Sequence, residues 1–104
     1  MLVHCVFFWA TDGLPSEDLA DFEGGLRTLL TVPSVVDGTV GVPADTDRPP
    51  VVRSYSFALM LRFRDLAAHD AYQVDPIHNA FHARCQKYWT KVVVYDFEDR
   101  PPTS

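Results

Sequence analysis

Residues Leu2 to Ala10 (LVHCVFFWA) constrain the fold more than any other stretch of the chain. They are rich in β-branched and aromatic side chains, and no helix cap precedes them, so they predict a strand. Alternation places Val3, Cys5, Phe7 and Trp9 on one face and His4, Val6 and Phe8 on the other. Apart from His4, both faces are apolar, the pattern of a strand buried on two sides. A chain that opens this way must cover both faces of its sheet. With 104 residues it has length for a single domain in which to do so.

The elements that follow can be read in order. Asp12-Gly13 predicts a turn, and Pro15-Ser16-Glu17-Asp18 opens a helix, with Ser16 as cap and two carboxylates at the positive end of the dipole. Leu19, Phe22, Leu26, Leu29 and Leu30 form its apolar stripe, Asp18, Asp21, Glu23 and Arg27 fall outside, and Pro33 ends it. Gly24 and Gly25 each weaken that helix by about 1 kcal/mol relative to alanine, which implies a close approach to the sheet. Ser34 to Val42 predicts a second strand, with Gly38 and Gly41 marking a bulge or bend. Pro43 to Pro50 is a loop. Arg53 to Phe63 predicts a third strand, with Tyr55, Phe57, Leu59, Leu61 and Phe63 on one face. Asp65 caps a short helix through Tyr72, and Asp75-Pro76 restarts it, with Ile77, Ala80, Phe81, Cys85 and Tyr88 turned inward. Trp89 to Phe97 is the last strand. The domain is expected to span residues 1–98, and residues 99–104 to form a flexible tail.

Strand, helix, strand, strand, helix, strand predicts an α+β, ferredoxin-like βαββαβ domain, a four-stranded antiparallel sheet with its helices on one side. Two helices cover one face, yet the first and third strands carry large apolar residues on the other. A bare face of that kind exceeds the few hundred Å² that soluble monomers usually expose. Packing two copies face to face by a twofold axis removes the problem, so a homodimer through the sheet face, closed as a dimeric α+β barrel, is expected. The alternative is a ligand groove on a monomer.

The net charge of −5, with basic residues scattered along the chain, argues against a nucleic-acid or anionic-membrane partner. No apolar run approaches the about 20 residues of a membrane span, and no signal peptide is legible, so a soluble, cytoplasmic protein is expected. Cys5 and Cys85 sit in apolar stretches and read as free thiols.

Phosphate loops, nucleophile elbows and dinucleotide fingerprints are absent from the sequence. Neither a cofactor nor a metal is expected. His78 and His82 stand four apart with Cys85 one turn on, a spacing that can hold a metal, but no acidic residue completes it and two separate histidines are the simpler reading. His69 beside Asp70 reads as solvated. What remains is proton chemistry in an apolar pocket. His78, near a helix start, is disfavoured as a cation and can serve as general base, with Tyr72 orienting a phenol or carbonyl. His4 is the third polar group for the same space, and Phe57, Trp9 and Phe81 are candidate apolar contacts for a ligand. A purely structural role for all of these stays open.

The chain resembles the stress-responsive A/B-barrel (Dabb) family. The resemblance rests on His4 in LVHCVFFWA, on Pro33, on SYSFALMLRF followed by DLAAHDAY, and on DPIHNAF running to YWTKVVVYDF. Its most specific part is the spacing of Tyr72, Pro76, His78 and Phe81. The resemblance implies a homodimeric α+β barrel with cofactor-free chemistry at most. Plant relatives include a polyketide cyclase using a histidine base and a tyrosine partner, positions that map onto His78 and Tyr72. The chain departs from that cyclase at Phe57 and Asp75, where it has histidines, and near Gly25, where it has a tyrosine. Three functions follow: a barrel binding a small hydrophobic or aromatic molecule, a cofactor-independent enzyme of cyclase or monooxygenase type, or a structural dimer module.

Overall fold

A computed structural model describes residues 1–102. Four strands form one sheet in the order β2-β3-β1-β4: β1 (Leu2–Ala10), β2 (Val35–Gly41), β3 (Phe57–Phe63) and β4 (Trp89–Glu98). All neighbouring pairs are antiparallel. Three helices, α1 (Ser16–Thr28), α2 (Leu66–Gln73) and α3 (Pro76–Cys85), pack on one face. This is the ferredoxin-like arrangement, with the second helix broken in two. No helix among the described residues is long and apolar enough to cross a membrane.

β1 is central and is hydrogen-bonded along both edges. Leu2, His4, Val6 and Phe8 point to the helices, alongside Phe57, Leu59, Leu61 and Phe63 of β3, and all eight are buried. Phe22 and Leu26 of α1, Tyr72 of α2, and Phe81 and Cys85 of α3 close the core from above. The other face carries Val3, Cys5, Phe7 and Trp9 of β1 beside Val93, Tyr95 and Phe97 of β4, and Tyr95 and Phe97 remain exposed. Phe7 and Tyr95 meet edge to face across it.

The caps follow the sequence at two helices and depart from it at the third. Asp65 accepts from the Ala68 amide, and Asp75 from Ile77 with Pro76 in the first turn. At α1, Pro15 takes the cap position and Ser16 is already helical, with no side-chain bond. Gly13, at φ +77°, makes the turn before it in a conformation other residues resist. The helix proper ends at Thr28 and tightens into a 3-10 turn over Leu29–Thr31 before Pro33.

Other features differ from expectation for identifiable reasons. β3 begins at Phe57 and not at Arg53. The Ser56 hydroxyl accepts the Ala10 amide at 2.9 Å, taking a donor that a longer ladder would have used. The alternation breaks there, so Tyr55 stacks edge-on against Phe7 on the open face, opposite to Phe57. The irregularity in β2 falls between Val35 and Asp37. Asp21, expected outside, binds Arg84 and accepts from the Tyr88 hydroxyl at 2.8 Å, tying α1 to the end of α3. The Met1 ammonium contacts Asp99 at 2.7 Å, so the chain's start meets the first residue of the expected tail. Residues 103 and 104 of that tail lie outside the described residues.

Gly25 makes a close approach, to α3 and not to the sheet. A Cβ there would lie 2.4 Å from Cys85 Sγ and 3.4 Å from the Phe81 ring. The Gly25→Ala variant should therefore lose roughly 1–3 kcal/mol through overpacking, although alanine is the better helix former. At Gly24 a Cβ meets only the Arg84 guanidinium at 3.3 Å, so Gly24→Ala should be neutral or stabilising. Urea unfolding midpoints read both, and adding Cys85→Ala to Gly25→Ala should recover part of the loss, because the two sites touch.

Candidate functional site

A cavity of about 140 Å³ lies between the sheet and the broken helix. Its floor is His4, Val6 and Phe8 of β1 with Leu59 of β3, its roof is Tyr72, His78 and Phe81, and its outer side is Trp89, Val92 and Val94 of β4. Val92 and Val94 face the helices from the outermost strand and are only half covered. The cavity thus opens along β4.

The polar groups of this space form a continuous row of rings. His69 lies 5.2 Å from His4, His4 5.7 Å from Tyr72, Tyr72 4.8 Å from His78, and His78 4.8 Å from His82. All four histidines of the chain therefore stand in one row, of which His4, His78 and His82 line the cavity. The first of them, His4, is paired: its Nδ1 lies 2.5 Å from Asp96 Oδ1. A carboxylate only accepts, so Nδ1 donates and the Nε2 lone pair is left free. Burial pulls the His4 pKa below its ordinary value against the opposing pull of Asp96.

His78 is the exception in this row. Its Nδ1 is buried and has no hydrogen-bond partner among the described residues. Buried polar atoms are almost always satisfied, and the residue that carries this one lines the cavity. Burial lowers the His78 pKa, the neighbouring His82 and His4 lower it further, and Asp75 opposes them. Tyr72 is buried and its phenol is pushed up, so it stays a neutral donor. A neutral imidazole and a neutral phenol in an apolar enclosure can bind a hydroxyl or carbonyl, or move a proton at it.

The structure brings together His4, Tyr72, His78 and Phe81, and it leaves out Trp9 and Phe57. Trp9 is on the opposite face, where Nε1 donates to Ser54 and the Lys91 ammonium lies 4.5 Å over its ring. The alternation of β1 requires this, since Trp9 shares a face with Phe7. Phe57 faces the helices but packs 5.1 Å from Phe22, away from the cavity wall. Cys85 is sealed beneath Gly25, so it joins no cluster with His78 and His82. His69, read as solvated, has only 14% of its side chain exposed and sits edge-on to Phe63.

Asp96 and Trp89 were missed by the sequence reading. The signal for Asp96 was a lone acid between Tyr95 and Phe97 in an apolar strand. Trp89 stacks on Phe81 at 5.6 Å and forms the cavity's flank.

One four-stranded sheet, helices on a single face, and a cavity between the two layers define an α+β-barrel subunit. The sequence matches the stress responsive A/B barrel domain (Dabb) over residues 2–99, and the chain belongs to that family. No curated protein matches it significantly. Solved structures with the same fold include an Arabidopsis thaliana protein, 18% identical, with 100% of both chains covered and a TM-score of 0.82. A hydroxynitrile lyase from Passiflora edulis is 18% identical, with 99% of this chain and 96% of that one covered and a TM-score of 0.78. A dimeric ferredoxin-like protein from Thermobifida fusca is 21% identical, with 92% and 88% covered and a TM-score of 0.74.

The sign of the His78 shift sets a pH dependence. The unfolded chain takes a proton on this ring near pH 6.5, and the folded chain does so only at lower pH. The native state binds fewer protons in that window, so the contribution of neutral His78 is complete above it and is lost as pH falls through the folded value. NMR titration should place the His78 midpoint below 6.5. The His78→Leu variant should lose less stability than the parent between about pH 7 and 5.

Proposed function

We propose that this protein binds a small, planar, largely apolar molecule in the cavity, with His78 and Tyr72 holding its one polar group. The observation that carries this reading is the buried, unpartnered Nδ1 of His78. Size supports it: an apolar cavity of about 150 Å³ accepts benzene, and this one is of about 140 Å³. Phe8, Phe81 and Trp89 supply aromatic walls for a single ring, and His4 is a further polar contact at the floor.

A second reading is favoured by the pairing of rings. Neutral His78 stands 4.8 Å from Tyr72, an arrangement suited to cofactor-free acid–base work with His78 as base and the Tyr72 phenol as hydrogen-bond donor. A hydroxynitrile lyase sharing the fold supports the idea that such a subunit can host catalysis. The cyclase-like or monooxygenase-like activity implied by the family resemblance belongs to this reading.

The working unit is a homodimer joined through the open sheet face. Its support is the row Val3, Cys5, Phe7 and Trp9 beside exposed Tyr95 and Phe97, too apolar to face water, and the dimeric state of the Thermobifida protein. Light scattering at micromolar concentration should report twice the 11.7 kDa chain mass, and Tyr95→Lys should shift the population toward monomer. A monomeric parent protein refutes the pairing.

Calorimetry with single-ring phenols and aromatic aldehydes tests the cavity. One site per chain is expected, with affinity falling about tenfold in His78→Ala, the equivalent of about 1.4 kcal/mol. Equal binding by parent and variant, or no saturable binding of any such compound, refutes the reading. Turnover of a bound compound that disappears in His78→Ala while binding persists selects the catalytic alternative.

A further inference from the structure

Three side chains from three elements converge where the cavity meets α2. His4 of β1 and Asp96 of β4 are direct register partners, so the antiparallel ladder sets their separation. His69 reaches them from α2. One donor atom of each lies within 4.8 Å of the other two, and no other group of three or more histidines, cysteines and acids converges this way among the described residues.

The composition separates this cluster from a solvated acidic patch. It holds two imidazoles and a single carboxylate. The His4 and His69 side chains are 6% and 14% exposed, and only Asp96, at 41%, is open to water. Mixed nitrogen and oxygen donors suit borderline divalent metals, and three protein ligands leave a fourth position free.

We propose that His4, His69 and Asp96 form a binding site for a divalent transition-metal ion of the zinc type. The ion takes the place of the proton that His4 Nδ1 now donates to Asp96, and that proton moves to Nε2 of the same ring. Asp70 lies 3.2 Å from His69 Nδ1 and accepts from it, the carboxylate commonly found behind a ligating histidine. His69 Nε2 is then the donor to the metal, in place of its present 3.4 Å contact with the Gln73 amide. The donors draw together to metal bonds of about 2.0–2.2 Å through rotation of the two more exposed side chains, Asp96 and His69. His4 is shared with the ligand reading of the cavity, whereas His69 and Asp96 take no part in it, so variants of those two test the metal site apart from that reading.

The test is a cobalt(II) titration of the full chain after chelator treatment, with zinc competition and equilibrium dialysis. One ion per chain is expected, with visible ligand-field bands that zinc abolishes. His69→Ala and Asp96→Asn should each weaken binding by about tenfold or more, and His82→Ala should bind as the parent does. Circular dichroism confirms that each variant is folded, and His69→Ala is decisive if Asp96→Asn is not. The absence of stoichiometric binding by the parent overturns the proposal. So does unchanged affinity in His69→Ala, or loss in His82→Ala alone, which would place the ion elsewhere on the histidine row.

Discussion

The double-sided demand of β1 organises the molecule. Its two edges are occupied by β3 and β4, and each of its side chains must enter one of two apolar layers. Shifting a strand by one residue exchanges its faces, which here would carry His4 away from Asp96 and place Phe7 under the helices. The register that buries Val6 and Phe8 is thus the same register that sets His4 opposite Asp96. Packing and site geometry are decided together by the pairing of this one strand.

The break between α2 and α3 has a comparable role. Tyr72 and His78 are six residues apart, which in an uninterrupted helix would separate them by about 240° around the axis. They would then point to different sides of one rod. Val74 and Asp75 interrupt the helix, Asp75 caps the next one, and Pro76 starts it at a new angle. Both rings consequently meet the sheet, 4.8 Å apart. Proline, usually read as a helix starter, here brings together two side chains that helical periodicity would keep apart.

Periodicity and capping made most of the architecture readable from the residues alone. The two-faced strand, the apolar stripe of α1 and the Asp65 and Asp75 caps are local patterns, and local patterns survive in a sequence. That His4, Tyr72, His78 and Phe81 face one space was legible, because the strand alternation and the Asp75-Pro76 restart indicate where they point. Asp96 and His69 were not. Each owes its place to a partner distant along the chain, His4, and nothing beside either residue announces that partner. Trp9 and Phe57 show the complementary limit. Aromatic character suggested a pocket, whereas strand parity sent Trp9 to the far face and the packing of α1 drew Phe57 against Phe22. Gly25 was legible as a contact point, but only the assembled helices identify Cys85 as what it touches.

The concentration of imidazoles in one wall has an effect that reaches past any single ring. Imidazole is the only side chain that ordinarily changes charge between about pH 5 and 8. Of the four in this protein, His4, His78 and His82 line the cavity, and His69 stands against His4 at its edge. Burial holds His4 and His78 below the ordinary imidazole value, so both rings resist protonation as the medium turns mildly acidic. The polar wall of the cavity thus keeps neutral donors and acceptors over a wider range of acidity than solvated imidazoles would.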